Sequence, residues 1–294
     1  MNQPLLSVIT PTYNRASLLN NCFESLRSQT DQDFEWIIVD DGSTDDTELV
    51  VQSFSAAFPI CSVKKENGGK HTALNASHEY VHGKYVLILD SDDRLVSSAV
   101  EQIRAGWKRF EADRSVGIVT FLKGISLDKP TCTAPDEGVP VDIMRYKRRC
   151  IYSSDCCEVI RAELFLQYPF PVFQNETFLS EGALWNRVSF THKCVYINQV
   201  IYLCEYHADG LTRAGRRLRI ANPLGGMYTA KLNMDRKNYF SRRIKNGLLY
   251  TCYGLFAGET AANMVSQCDD KILVCVCLPF GWILKCYWQM KYKK

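Results

Sequence analysis

The chain has no Cys-x-x-Cys pair, although it carries thirteen cysteines. That absence removes the spacing of zinc ribbons and dithiol redox sites. Cys156 and Cys157 are adjacent, and Cys275 and Cys277 lie within an apolar run. The number is odd, and the N-terminus, MNQPLLSVITP, enters a strand-like run with no leader before it. Free thiols in a reducing cytoplasm are therefore expected, and the sequons at Asn75 and Asn175 are expected to carry no glycan. Charge of one sign is not in excess either: the formal net charge is +3, so composition calls for no nucleic-acid partner. No internal repeat is present. No glycine-rich basic loop follows the first strand-like run, where the sequence reads PTYNRASLL, which argues against a nucleotidyltransferase.

Long uninterrupted apolar runs are also missing. The longest, ILVCVCLPFGWILKCYWQMKYKK (272–294), contains Pro279, Gly281 and Lys285. A spanning helix needs ~20 apolar residues, so this run is expected not to cross a bilayer. Trp282, Tyr287 and Trp288 beside lysines instead fit a tail lying in a membrane interface, the alternative being a terminal helix docked on a core.

What is there suffices for a sizeable core, since 46% of the 294 residues are hydrophobic. Charge is unevenly placed. Acids cluster at Asp40–Glu48 and Asp90–Asp93, and basic residues at Arg145–Arg149, Arg213–Arg219 and Arg236–Lys245. This points to a cation site in the first half and an anionic surface or ligand in the second.

Strand-like runs at Leu5–Thr10, FEWIIVD (34–40), Ile60–Val63, Tyr85–Leu89 and Val116–Phe121 alternate with helical patterns. The helices are expected at Ala16–Ser28, after Ser43 or Thr44 as N-cap, over Lys70–Val81 closed by Gly83, and along Val96–Phe110. Such alternation predicts an α/β domain with a mostly parallel sheet covered on both faces. The polar segments Pro11–Arg15, Asp40–Asp41 and Asp90–Asp93 end three of these strands, where ligands of open α/β sheets bind. Regularity lapses over 123–152. It returns as a helix near Glu181–His192 and strands at Cys194–Ile197 and Val200–Tyr206, with helices after Asn222-Pro223.

Three carboxylates crowd the end of YVLILDSDDRL (85–95). A helix N-cap accounts for one of them. A divalent cation shared with a nucleotide diphosphate accounts for the group, since Mg²⁺ or Mn²⁺ takes one or two carboxylates and completes its shell with phosphate oxygens and water. An aspartyl-phosphate chemistry is disfavoured, because Arg94 stands where that motif carries Thr or Val. HEYVH (78–82) has zinc-protease spacing, but within a strand–helix–strand unit its histidines are expected at the surface. The glycines of KKENGGKHTALN (64–75) either cradle phosphate or make an ordinary connection. Glu181, in FLSEGALWNRVS, is either a helix-dipole acid or a general base.

Taken together, SVITPTYNR, WIIVDDGSTDDT, NGGKHTALN and YVLILDSDD resemble, in order and spacing, the signatures of family 2 glycosyltransferases of the GT-A fold. EYHADGLT (205–212) is similar to bacterial polysaccharide and O-antigen transferases of that family. The resemblance implies a GT-A domain, expected over 1–215, and the residue pattern after it predicts a helical region over 216–294 with the interfacial tail at 272–294. It also implies an inverting, metal-dependent transfer from a nucleoside diphosphate sugar, a UDP-sugar in the first instance, to a polyprenyl-diphosphate-linked glycan. Such an enzyme would act in surface polysaccharide or capsule synthesis, peripherally on the inner face of a bacterial cytoplasmic membrane.

Carried over by residue, Thr12 and Tyr13 lie near base and ribose, Asp40 reads the uracil edge, and Lys70 lies near base or diphosphate. Asp90 lies near ribose and metal, Asp92 is the principal ligand of Mn²⁺ or Mg²⁺, and Asp93 supports it. Glu181 is the candidate base, although Gly182 replaces the family's aspartate, and Glu176 and Asp155 are its alternatives. His207, Arg213, Arg216 and Arg217 are candidate contacts to the donor diphosphate or an anionic acceptor head. The other classes kept open are a nucleotidyltransferase and a non-catalytic module that binds sugar nucleotide or glycan.

Overall fold

The computed structural model describes residues 3–142, 156–205 and 211–292. Among them, nine strands form one mixed sheet: β1 (Leu6–Thr12), β2 (Phe34–Asp40), β3 (Ile60–Lys64), β4 (Tyr85–Ile88), β5 (Arg94–Leu95), β6 (Val116–Ser126), β7 (Lys129–Pro130), β8 (Cys157–Arg161) and β9 (Lys193–Leu203). Their spatial order is β3-β2-β1-β4-β8-β6-β9-β5, with β7 on β6. The helices are α1 (Ala16–Arg27), α2 (Thr47–Gln52), α3 (Lys70–Ala76), α4 (Ala99–Lys108), α5 (Ala162–Gln167), α6 (Gly182–Val188), α7 (Leu211–Ala221), α8 (Pro223–Asn233), α9 (Phe240–Phe256), α10 (Ala261–Ser266) and α11 (Lys271–Tyr292). The chain divides into two compact units, Met1–Phe170 with Val188–Tyr206, and Pro171–Arg187 with His207–Lys294.

In the first unit, β1 pairs in parallel with β2 and β4, and β2 with β3. All seven residues of β2 are buried, as a strand covered on both faces requires. Next to β4 stands β8, antiparallel to both β4 and β6, between the irregular stretch over 123–152 and the helix expected near Glu181, where no strand was expected. Its sequence, CEVIR, hides a central strand behind a charge. Arg161 is buried because its guanidinium donates to the carbonyls of Phe110, Glu111, Asp113 and Val116 and lies 4.9 Å from the Trp107 ring. The two strands expected over 194–206 are one, β9, parallel to β6 with register shifts between Thr120 and Lys123.

Two helix expectations change. The Lys70–Val81 helix stops at Ala76 and continues as a 3-10 turn over Ser77–Tyr80. His78 and His82 therefore do not share a helix face. His78 lies with its ring 4.7 Å from Phe165, whereas His82 donates through its backbone N–H to Glu35 Oε1 (2.7 Å) and sets Nδ1 3.1 Å from Oε2. Gly83 serves the sheet rather than a helix end, since a Cβ there would stand 2.4 Å from the Ser7 nitrogen. Helix α2 starts later than Ser43 or Thr44, at Thr47, whose N–H bonds Asp45 Oδ1. Ser43 and Thr44 brace the β1 loop instead.

The second unit is helical around a core that includes Met227, Met234, Tyr250, Tyr253, Met264, Val274 and Trp288. Helix α11 runs unbroken through Pro279, which removes one backbone donor without ending the helix. The other residues expected to interrupt the run are its docking points. A Cβ on Gly281 would lie 2.1 Å from Thr251 Oγ1, and one on Gly247 would lie 2.8 Å from Cys277 Sγ, so α9 and α11 touch through glycine. Lys285 Nζ donates to the Leu255 carbonyl (2.9 Å) in the last turn of α9, where a cation complements the helix dipole.

One face of α11 is thus packed. The other shows Ile272 (79% exposed), Val276, Ile283, Tyr287 and Met290 (77% exposed) at helical spacing. By length and composition the helix suffices to cross a membrane.

Candidate active site

Parallel strands β1, β2 and β4 bring Thr12, Asp40 and Asp90 to one edge of the sheet. Thr12 and Asp40 are register partners, and the Leu89 N–H bonds the Ile9 carbonyl, so the three carboxyl ends lie side by side. Tyr13 follows Thr12 and is 47% exposed. Its loop is fixed from both directions: Asn14, at φ 51°, donates its N–H to Ser43 Oγ (2.9 Å) and accepts the Thr44 N–H at Oδ1 (2.8 Å).

Asp40 is 4% exposed. Its Oδ1 accepts the Ser43 N–H at 2.8 Å, while its Oδ2 is buried with no protein partner, as is Thr12 Oγ1. A buried acceptor left without a donor costs about 1–3 kcal/mol, so this pair of atoms is the mark of a polar ligand. Asp41 has the opposite job. Its carboxylate accepts the N–H groups of Gly68 (3.0 Å) and Gly69 (2.7 Å) and the Lys65 ammonium (2.6 Å). The glycine amides that could have faced a phosphate are spent there, and the Gly-Gly loop ties α3 to the end of β2.

The acid cluster divides by partner. Asp90 is ion-paired with Lys70, at the first turn of α3. Burial pushes its pKa up, but the Lys70 and Lys123 ammoniums outweigh it and the net shift is downward. Asp93 is buried, with Oδ2 accepting from Tyr202 Oη (2.8 Å) and Oδ1 from the Glu205 N–H (3.0 Å). Burial, then the charge of Asp90, raises its pKa to about 6. Tyr202 Oη also accepts the Asp90 N–H (3.0 Å), so one phenol spans the turn. Lys123 stands 4.1 Å above the Tyr202 ring.

Neither Tyr202 nor Lys123 was singled out from sequence. Their strands, β9 and β6, meet the acids only through the sheet order, and an isolated Tyr or Lys in a strand carries no signal of that. Asp92 differs from both neighbours: it is half-buried, and no hydrogen bond or ion pair engages its carboxylate among the described residues.

These residues suit a divalent cation of one particular kind. Among the described residues no group of three or more His, Cys, Asp or Glu forms a complete cage. A single available carboxylate fits Mg²⁺ or Mn²⁺ held largely by phosphate oxygens and water. Asp92 would hold it, while Asp90 and Asp93 are committed to Lys70 and to Tyr202 with the Glu205 amide.

Glu181 belongs to the second unit. It precedes α6 and accepts at its carbonyl the N–H groups of Leu184 (2.9 Å) and Trp185 (3.2 Å). The strap leading to it is rigidly held. Asn222 Oδ1 accepts from the Thr177 and Phe178 amides, and Glu176 accepts the Leu224 (2.6 Å) and Gly225 (2.8 Å) N–H groups at the start of α8. Glu176 is therefore a buried helix cap. Its pKa is raised by burial and opposed by those two amides, and it is not available as a base. Asp155, His207 and the side chain of Arg213 lie outside the described residues. Arg217 is exposed, and Arg216 donates to Tyr253 Oη (2.6 Å).

Comparison with known proteins bears on this arrangement. The family described as "Glycosyl transferase family 2" matches residues 7–160. The chain is 38% identical over 117 residues to the chondroitin synthase of Pasteurella multocida, a stretch that is 40% of this chain and 12% of that protein. Alignments with such relatives span 12% to 40% of their length. Among solved structures, S. aureus TarS 1-349 in complex with UDP-GlcNAc superposes with a TM-score of 0.59 at 17% identity, covering 95% of this chain and 88% of that one. The mannosyltransferase PcManGT from Pyrobaculum calidifontis, in complex with GDP-Man and Mn²⁺, gives 0.58 at 19% identity, covering 97% and 81%. At such identities the likeness shows the fold, which is GT-A with a helical C-terminal region.

Proposed function

This chain belongs to glycosyl transferase family 2, and from that premise we propose that it moves a sugar, with inversion, from a nucleoside diphosphate sugar to a lipid-linked glycan acceptor in surface polysaccharide synthesis. One observation carries the donor half: the buried, unpartnered Asp40 Oδ2 beside the unpartnered Thr12 Oγ1, at the carboxyl ends of parallel strands. A pyrimidine presents an N–H at its edge, and burying that donor against Asp40 relieves the orphaned acceptor. Tyr13, exposed and held by the Asn14 brace, offers a ring for the base to lie against. The solved relatives bound to UDP-GlcNAc and to GDP-Man with Mn²⁺ support a sugar nucleotide and a divalent cation as ligands.

In this reading Asp40 and Thr12 bind and orient the nucleoside. Lys70 holds the Asp90 carboxylate toward the ribose side. Tyr202 and Asp93 fix the turn from which Asp92 projects. A Mn²⁺ or Mg²⁺ bound at Asp92 supplies charge neutralisation for the departing diphosphate. Glu181 takes the proton of the acceptor hydroxyl as that oxygen attacks the anomeric carbon from the face opposite the diphosphate, which inverts the centre. A screen of UDP- and GDP-sugars with Mn²⁺ is expected to show metal-dependent release of the nucleoside diphosphate from one UDP-sugar. No release with any donor, under conditions where UDP binds, would demote the chain to a binding module.

The exposed face of α11 supports a peripheral membrane location. Ile272, Val276, Ile283, Tyr287 and Met290 face outward while Leu273, Val274, Cys277 and Trp288 are buried. Lys291 lies in the last turn. An apolar stripe beside basic residues matches the acyl–headgroup boundary of an anionic bilayer. Sedimentation with phosphatidylglycerol vesicles is expected for the whole chain and strongly reduced for the Ile272→Glu/Ile283→Glu double variant. Equal pelleting of both would reject the stripe as the contact.

A further inference from the structure

A second candidate site lies entirely within the C-terminal unit. It is a cleft of about 240 Å³ between the strap at 178–180 and helices α7, α8 and α9. Arg216, Arg219 and Lys245 line it, and no Asp or Glu does. Arg216 is held by neutral partners, Tyr253 Oη at 2.6 Å and the Trp288 ring at 4.4 Å, so its charge is positioned without being neutralised. Arg219 and Lys245 have no ion pair among the described residues. Three cations gathered around one cleft repel one another, and an anion entering it relieves that repulsion while accepting several N–H donors. Phe178, Leu179 and Leu249 form an apolar wall, and beside them stand the polar Thr229, Asn246 and Tyr253. Ser180 also lines the cleft, and the candidate base Glu181 is the next residue.

We propose that this cleft binds the phosphate or diphosphate head of an acceptor whose tail is apolar. The proposal rests on the lipid-linked acceptor put forward above, and it assigns Arg219 and Lys245 as head-group contacts with Arg216 as the fixed charge behind them. Arginine and lysine divide the work by shape, the guanidinium fork matching two phosphate oxygens and the ammonium acting as a point charge. The apolar wall takes the first carbons of the chain. All residues that line the cleft belong to the C-terminal unit, and the proposal assigns it to an anion other than the donor diphosphate, which competition with UDP tests.

The test is titration calorimetry of the full chain with farnesyl diphosphate in the presence of saturating UDP and Mn²⁺. The wild type is expected to bind, more tightly than it binds inorganic pyrophosphate under the same conditions. The Arg219→Gln/Lys245→Gln double variant, changed only at solvent-facing side chains, is expected to bind farnesyl diphosphate at least tenfold more weakly with its UDP affinity unchanged. Lys245→Arg alone keeps the charge and is expected to keep the affinity. Unchanged affinity in the double variant, or competition between farnesyl diphosphate and UDP, would overturn the assignment. Pyrophosphate binding as tightly as farnesyl diphosphate would overturn the lipid part of it. A wild type that binds farnesyl diphosphate but neither UDP nor GDP would refute the transferase reading while supporting the cleft.

Discussion

Replacing Asp92 with Ala is expected to lower metal-dependent sugar transfer by at least about a hundredfold, which corresponds to roughly 3 kcal/mol of lost stabilisation. The size follows from how the acid cluster is shared out. Asp90 is engaged by Lys70, and Asp93 by Tyr202 and the Glu205 amide, so neither can turn to replace the missing carboxylate without leaving a partner unpaired. Stability should change little, because Asp92 makes no hydrogen bond or ion pair among the described residues. Asp92→Ala therefore separates activity from folding: initial rates at saturating donor with and without chelator, beside a thermal melt. Full activity of the wild type in chelator, or of the variant in Mn²⁺, would remove the cation from the chemistry.

The second large effect is expected at Glu181. Glu181→Gln keeps the shape and the two backbone bonds at the start of α6 but cannot accept a proton. Transfer should fall by about 10²–10⁴, the usual worth of a positioned general base. Donor binding by calorimetry should be unchanged, since the nucleoside contacts proposed here lie in the other unit. The strap geometry sharpens the test. Glu176, the neighbouring acid, is committed to capping α8, so its replacement should cost stability before it costs chemistry. A Cβ on Gly182 would meet only Ser180 Oγ, at 3.2 Å, so the absent aspartate is not excluded by space. If Glu181→Gln turns over at near wild-type rate, the base lies elsewhere in the chain.

Much of the first unit was legible in the sequence because its strands are buried on both faces. A doubly covered strand must be continuously apolar, and β2 shows this without exception. The strand ends were legible for the converse reason: Asp40 and Asp90 are polar residues in places where only a ligand or a fixed partner justifies them. Strand β8 was not legible. Glu158 and Arg161 break its apolar run, and the burial of Arg161 depends on four carbonyls over residues 110–116 that no local pattern reveals. The zinc-like spacing of HEYVH was set aside on its place in a strand–helix–strand unit, and the partner that engages His82 instead, Glu35, lies forty-seven residues away where no local pattern shows it.

By itself the sequence determined the alternation of strand and helix, the family signatures and the set of acids from which a cation ligand is drawn. These are local properties, written in period, composition and spacing. The family resemblance had already named Asp92 among these acids; only the tertiary structure supplied the reason, because Tyr202, Lys70 and the Glu205 amide reach Asp93 and Asp90 from distant segments and leave the Asp92 carboxylate without a partner among the described residues. The tertiary structure also decided how the tail helix packs on its neighbour. Pro279, Gly281 and Lys285 look like interruptions of an apolar run. In the fold, Gly281 and Lys285 join α11 to α9, since close approach needs a missing Cβ and the carbonyls ending a helix need a donor.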